Sequence, residues 1–133
     1  MIVLDASAAI EWLLQTPKAA AIEQHLYSKA ANSRGWHAPH LLDVEVAQVL
    51  RRHVAAGIVS VRRAGEAVED LMALPLVRYP HDLLLPRIWE LRGSLTAYDA
   101  AYVALAEALD ASLVTCDRHL KFAPGHRARV DVV

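Results

Sequence analysis

The chain has 133 residues, a formal charge of -1, a single cysteine and 55% hydrophobic residues, with a mean hydropathy of +0.22. That length suits one domain with a self-sufficient core, and the apolar composition excludes intrinsic disorder while leaving room for a docking face or subunit interface. The near-neutral charge offers no broad basic surface, and a lone Cys116 excludes an intrachain disulfide and fits a reducing compartment.

Asp5 interrupts the only N-terminal stretch that could serve as a leader, and the most apolar run, Thr96 to Leu109, carries Asp99 and Glu107 and is too short to span a bilayer. A soluble, cytoplasmic protein without a membrane segment is expected.

Taken in chain order, Ile2-Val3-Leu4 reads as a short strand, and Asp5-Ala6-Ser7 supplies side chains that cap a helix through Trp12 and Leu14. Pro17 restarts a helix through Ile22 and Leu26. The chain breaks near Gly35, and Trp36-His37-Ala38 forms a brief strand. Pro39 suits the start of a helix carrying Leu42, Val46, Val49 and Leu50, with Gly57 as its stop. Val61 to Leu74 is helical by pattern, and Leu76 to Tyr79 is a strand ended by Pro80. Helices follow near Leu83–Arg92 and Ala97–Leu109. Leu113-Val114-Thr115 and Val130-Asp131-Val132 are the last strands. This alternation predicts one domain over residues 1–133, a three-layer α/β/α fold around a parallel sheet of four to five strands.

In such a sheet ligands bind at the edge where strands end and helices begin. Asp5 follows the first strand, and Asp117 lies just beyond the fourth. Glu45 sits in the early turns of the helix after the second strand, and Asp99 in the first turn of the helix leading into the fourth. Four acids distant in sequence therefore project to one edge. Glu45 shares a helical stripe with Leu41, Leu42 and Val49, and Asp99 one with Leu95, Tyr102, Val103 and Ala106, where an unpartnered carboxylate is costly. A divalent cation removes that cost, and oxygen-only ligands select Mg²⁺ or Mn²⁺ over Zn²⁺.

Each acid has a plainer alternative. Asp5 and Asp117 can cap the helices that follow them, and Thr96 with Asp99 has the form of a capping box. Ser7 and Thr115 are caps or donors that orient Asp5 and Asp117. Asp43 reads as a first-turn dipole partner, and Asp70, Asp82, Asp110 and Asp131 as surface or turn residues. The histidines lack zinc spacing and read mostly as surface or turn residues, and Cys116 as sheet packing. Arg51, Arg52, Arg62, Arg63, Arg87 and Arg92 are phosphate guides or solvated helix surface. No serine-hydrolase, P-loop or dinucleotide motif is present.

The ordered acids, in Ile2-Val3-Leu4-Asp5-Ala6-Ser7, Ala38-Pro39-His40-Leu41-Leu42-Asp43-Val44-Glu45-Val46-Ala47, Leu95 to Glu107 and Leu113-Val114-Thr115-Cys116-Asp117-Arg118, resemble those of PIN domains, and specifically of the VapC toxins of bacterial toxin–antitoxin pairs. The resemblance runs nearly end to end. It implies a Mg²⁺- or Mn²⁺-dependent endoribonuclease acting on structured RNA such as tRNA or ribosomal RNA. By matching position Asp5, Glu45, Asp99 and Asp117 take the metal-site roles, supported by Ser7 and Thr115. It also implies a homodimer and a small VapB antitoxin lying over the early helices, with Trp12, Leu13, Leu14, Ile22 and Leu26 as residues of that face or of the core. Where some relatives carry a further acid after the fourth Asp, this chain has His119 and Lys121.

Two other classes stay open on the residues alone. A haloacid-type phosphatase would use Asp5 as nucleophile, but its second Asp is replaced by Ser7. A non-catalytic binding module would keep the acids to hold a partner's arginines.

Overall fold

The computed structural model describes residues 1–30 and 35–133. Five parallel strands form one sheet in the order β3-β2-β1-β4-β5. They are β1 (Ile2–Leu4), β2 (Trp36–Pro39), β3 (Leu76–Tyr79), β4 (Ser112–Thr115) and β5 (Arg129–Val132). Helices α1 (Ala6–Leu13) and α2 (Ala19–Ala30) link β1 to β2, and α3 (Leu41–Ala55) and α4 (Val61–Ala73) link β2 to β3. Helices α5 (Leu85–Glu90) and α6 (Ala97–Ala108) lead into β4, and α7 (Arg118–Phe122) precedes β5.

The first two crossovers step the chain one way along the sheet, and the later ones step it the other way. Right-handed crossovers therefore place α1–α4 on one face and α5–α7 on the other, completing three layers. Helices α1, α2, α3 and α4 pack among themselves, and α5 packs on α6, as that division requires.

The central strands are buried on both faces, which is why Ile2-Val3-Leu4 and Leu113-Val114 are apolar runs rather than alternations. Helix α6 is buried continuously from Ala100 to Ala106, with Tyr102 at 0% exposure. Its alanines let it lie close to β1, β2 and β4.

Three boundaries differ from the sequence reading. Pro39 ends β2 instead of starting α3; the pairing of β2 with β1 stops at His37, so a proline costs no ladder bond on that side. The helix expected over Leu83–Arg92 is a short α-helix flanked by 3₁₀ turns at Asp82–Leu84 and Leu91–Gly93, with Pro86 in its first turn. Cys116 lies beyond β4, half-buried against the core. Gly57 does stop α3: its φ of 72° is the left-handed turn that glycine adopts freely.

Candidate active site

The reversal of strand order falls between β1 and β4, and the crevice at their carboxyl ends is where an open α/β sheet accepts ligands. A solvent-open cavity of about 670 Å³ lies there, and Asp5, Glu45, Asp99 and Asp117 all line it. Four segments separated by up to 112 residues (Asp5 to Asp117) thus contribute one acid each.

Caps hold three of these acids in place. Asp5 is the N-cap of α1 and accepts from the Ser7 amide at 3.3 Å. Asp117 is the N-cap of α7 and accepts from the His119 amide at 2.8 Å. The Thr96 hydroxyl accepts from the Asp99 amide at 3.1 Å, fixing the first turn of α6. Capping is therefore no rival to a site role. It sets each carboxylate at a helix N-terminus facing the cavity.

Ser7 and Thr115 tie the two strand ends together. The Ser7 hydroxyl donates to Asp5 Oδ2 and accepts from the Cys116 amide at 2.9 Å. The Thr115 hydroxyl donates to the same Asp5 oxygen at 2.8 Å and accepts from the Asp117 amide at 3.0 Å. One buried threonine thereby couples the positions of two of the acids. Across the cavity, the Tyr102 hydroxyl donates to Glu45 Oε2 at 2.6 Å.

The electrostatics are unfavourable to ionised acids. Burial pushes the Glu45 carboxyl above its ordinary range; Tyr102 opposes the shift, and the charges of Asp5 and Asp99 add to it. Asp99 is likewise raised, first by burial and then by Asp5, with a smaller push from Asp117; Thr96 and His119 offset part of it. Neither carboxyl has a salt bridge to Lys or Arg among the described residues.

The donor set fits a hard divalent cation: carboxylate oxygens only, partly desolvated, mutually repelling and open to water on one side. Among the described residues, however, no three His, Cys, Asp or Glu side chains close into a ready-made cage. Asp5 Oδ2 already takes donors from Ser7 and Thr115, and Glu45 Oε2 from Tyr102, which leaves an open cradle suited to an ion that keeps several waters.

Sequence reasoning missed three features of the cavity. Glu11 is a fifth acid on its wall, its carboxylate accepting from the Thr16 hydroxyl; its place one helical turn after Ser7 was the available signal. Tyr102 had counted as an apolar stripe residue, although a buried tyrosine needs a partner for its hydroxyl. Of the six arginines singled out, only Arg52 lines the cavity, beside His53. His37 is also buried, its Nδ1 at 2.8 Å from the Tyr79 hydroxyl. Leu13, Ile22 and Leu26 belong to the core, so Trp12 and Leu14 alone remain half-exposed from that set.

An α/β/α domain with an acid-lined crevice between β1 and β4 is the arrangement of one well-defined class of protein. The PIN domain profile matches residues 2–124, and the chain belongs to the PIN domain family. Ribonuclease VapC12 of Mycobacterium tuberculosis is 40% identical over 133 residues, spanning 100% of this chain and 99% of that one. Ribonuclease VapC9 of the same organism is 42% identical over 120 residues, 90% of this chain and 88% of its own. Among solved structures, VapBC2 from Rickettsia felis, bound to a DNA fragment from their promoter, shares the fold with a TM-score of 0.71 at 14% identity, over 100% of this chain and 99% of that one. No helix among the described residues is long and apolar enough to cross a membrane.

Proposed function

We propose that this protein is an endoribonuclease that hydrolyses RNA phosphodiester bonds at the β1–β4 crevice, with a Mg²⁺ or Mn²⁺ ion held by Asp5, Glu45, Asp99 and Asp117. The observation that carries the reading is the lining of one cavity by all four acids, two of them half-buried and, among the described residues, without a salt bridge to Lys or Arg. Full-length relatives named as ribonucleases support it.

Bound there, such an ion supplies an acidified water and neutralises charge that builds on the phosphoryl oxygens. The chain's own work is positional. Ser7 and Thr115 fix the rotamer of Asp5, Thr115 also holds the Asp117 backbone, and Tyr102 holds Glu45. No side-chain nucleophile is needed, and Ser7, engaged at both its donor and acceptor, is not one.

The activity is expected to be held in check by a VapB-type antitoxin lying over α1 and α4, where Trp12, Arg63, Asp70 and Leu74 line a second cavity of about 330 Å³. A homodimer is expected as well, with exposed Leu83, Leu85 and Trp89 as a candidate face. Tests are direct. Purified protein should cut tRNA or ribosomal RNA with Mn²⁺, lose the activity in EDTA, and lose it in Asp99→Asn. Cleavage that survives chelation would remove the metal from the reading. Inactivity on every RNA, with tight capture of an arginine-rich partner peptide, would favour the binding module, a reading that the open cradle also suits.

A further inference from the structure

The cavity is not symmetrical in charge. Its α3 wall is a single helical stripe of Leu41, Glu45, Gln48, Val49, Arg52 and His53, running from the acids outward. At 1.5 Å per residue, Arg52 lies about 10 Å along the axis from Glu45. Among the described residues, Arg52 is the one Lys or Arg on the cavity wall.

Most of the described arginines are engaged elsewhere, and Arg118 and Arg127, whose guanidiniums have no such partner, do not line the cavity. Arg63 is spent on the Leu13 carbonyl and Glu66, Arg78 on Asp43, and Arg87 on Glu107 and Glu90. Arg62 pairs with Glu66, and Arg92 lies over the Trp89 ring. The exposed Arg52 guanidinium makes no hydrogen bond or ion pair with any described residue. Beside it, His53 also lines the cavity, and its Nδ1 is buried with no hydrogen-bond partner among the described residues.

Resting on the nuclease reading above, we propose that Arg52, with His53, forms a phosphate subsite that grips the RNA backbone on one side of the scissile bond. A strand whose reacting phosphate sits among the acids is repelled by their charge wherever no cation screens it. An arginine about two turns further along the same helix attracts a neighbouring phosphate instead. The α3 wall therefore has a direction, with Glu45 at one end and the Arg52 guanidinium at the other. Glu45, Arg52 and His53 share one rigid helix, so their separation does not drift, and the strand's register on the acids is set by where its next phosphates are held.

The test uses the full chain carrying Asp99→Asn, so that RNA is bound and not cut, with Mn²⁺ present and a fluorescent single-stranded RNA oligonucleotide titrated at several salt concentrations. Adding Arg52→Gln should weaken binding roughly ten-fold and reduce the slope of log K against log salt by about 0.7. Adding Arg62→Gln, an exposed arginine on α4 outside the cavity, should change neither by as much as half. In the cleaving protein Arg52→Gln should raise KM with kcat nearly unchanged, and His53→Leu should do the same more weakly. Equal effects from Arg52→Gln and Arg62→Gln, or none from Arg52→Gln while the parent binds, would overturn the subsite and leave Arg52 as an anchor for an acidic peptide. Failure of both the Asp99→Asn parent and the unaltered protein, tested in Ca²⁺ in place of Mn²⁺, to bind RNA at any salt would overturn the nuclease reading itself, so the two failures are distinct.

Discussion

Helix α6 carries two acids, Asp99 in its first turn and Glu107 in its last, and the fold treats them oppositely. Glu107 has a side chain only 4% exposed, yet Arg87 grips it at 2.8 and 3.1 Å, the Arg127 amide donates to it at 2.8 Å, and its carboxyl is held below the ordinary range. Asp99 has no cationic partner of that kind, and its carboxyl is pushed up. Helix α3 repeats the pattern: Asp43 is bound by Arg78 at 2.7 and 3.0 Å, while Glu45, two residues on, has Tyr102 and the neighbouring negative charges. Glu107 and Asp43 each come with an arginine. Among the described residues the acids of the crevice have none, the difference expected if the former hold the fold and the latter the proposed site.

The largest effects should come from exchanging the two ends of α6. Asp99→Asn is expected to abolish RNA cleavage by about a hundred-fold or more, since loss of groups that merely support a metal site already costs 10–100-fold. It should not lower the metal-free melting temperature. Glu107→Ala should do the reverse. Removing one partner of a buried pair costs up to about 3–5 kcal/mol, and about 2–3 kcal/mol is expected here because Arg87 is 32% exposed and partly screened. Denaturant melts and cleavage of the remaining folded fraction check both. If Asp99→Asn were the destabilising change and Glu107→Ala the inactivating one, the division drawn here would be inverted.

The same contrast predicts opposite pH responses. Glu45 and Asp99 have raised folded-state pKa values, so they favour the folded state when protonated. Their contribution is full below the ordinary carboxylate range and is lost as pH rises through the raised values. Glu107 has a lowered value, so its contribution is present above about 4.5 and is lost as pH falls through the lowered one. Metal-free protein should therefore be most stable on the mildly acidic side of neutral. Mn²⁺ at a hundred times its Kd should add about 2.7 kcal/mol at neutral pH. That gain should shrink as Glu45 and Asp99 protonate; melts at stepped pH with Mn²⁺ or EDTA measure it, and a pH-independent gain would place the ion elsewhere.

Tyr102→Phe should have a middling effect. It leaves the α6 packing intact but frees Glu45, so metal affinity should fall about ten-fold with no more than about 1 kcal/mol of stability lost. Calorimetric titration of Mn²⁺ reads the first and denaturant melts the second. A stability loss without a change in affinity would make Tyr102 a core residue only.

How much of this could be read from the chain depended on range. The strands, the parallel order and the convergence of four acids follow from local patterning plus the handedness of crossovers, because Glu45 and Asp99 break apolar stripes that are themselves visible. What could not be read was pairing between distant side chains. Nothing in the neighbourhood of Asp43 announces Arg78, 35 residues away, and nothing near Tyr102 announces Glu45, 57 residues away. Asp131 looked like a surface residue but meets His25 at 3.1 Å across 106 residues. Proline misled at Pro39 because its fixed φ suits a strand end as well as a helix start.

The smallest effect is the sharpest check on α3. Asp43→Asn keeps the shape and one acceptor for Arg78, and the pair is open to solvent, with side chains 25% and 40% exposed. It should cost less than about 1 kcal/mol, and less still at high salt. Arg78→Ala should cost more, because the same guanidinium also donates to the Leu71 carbonyl at 3.1 Å and so ties the end of α4 to β3. Cleavage should survive both changes, whereas Glu45→Gln on the same helix should lose it. A nuclease that tolerates Glu45→Gln but not Asp43→Asn would mean that the arginine-bound acid of α3, and not the one held by a tyrosine, faces the substrate.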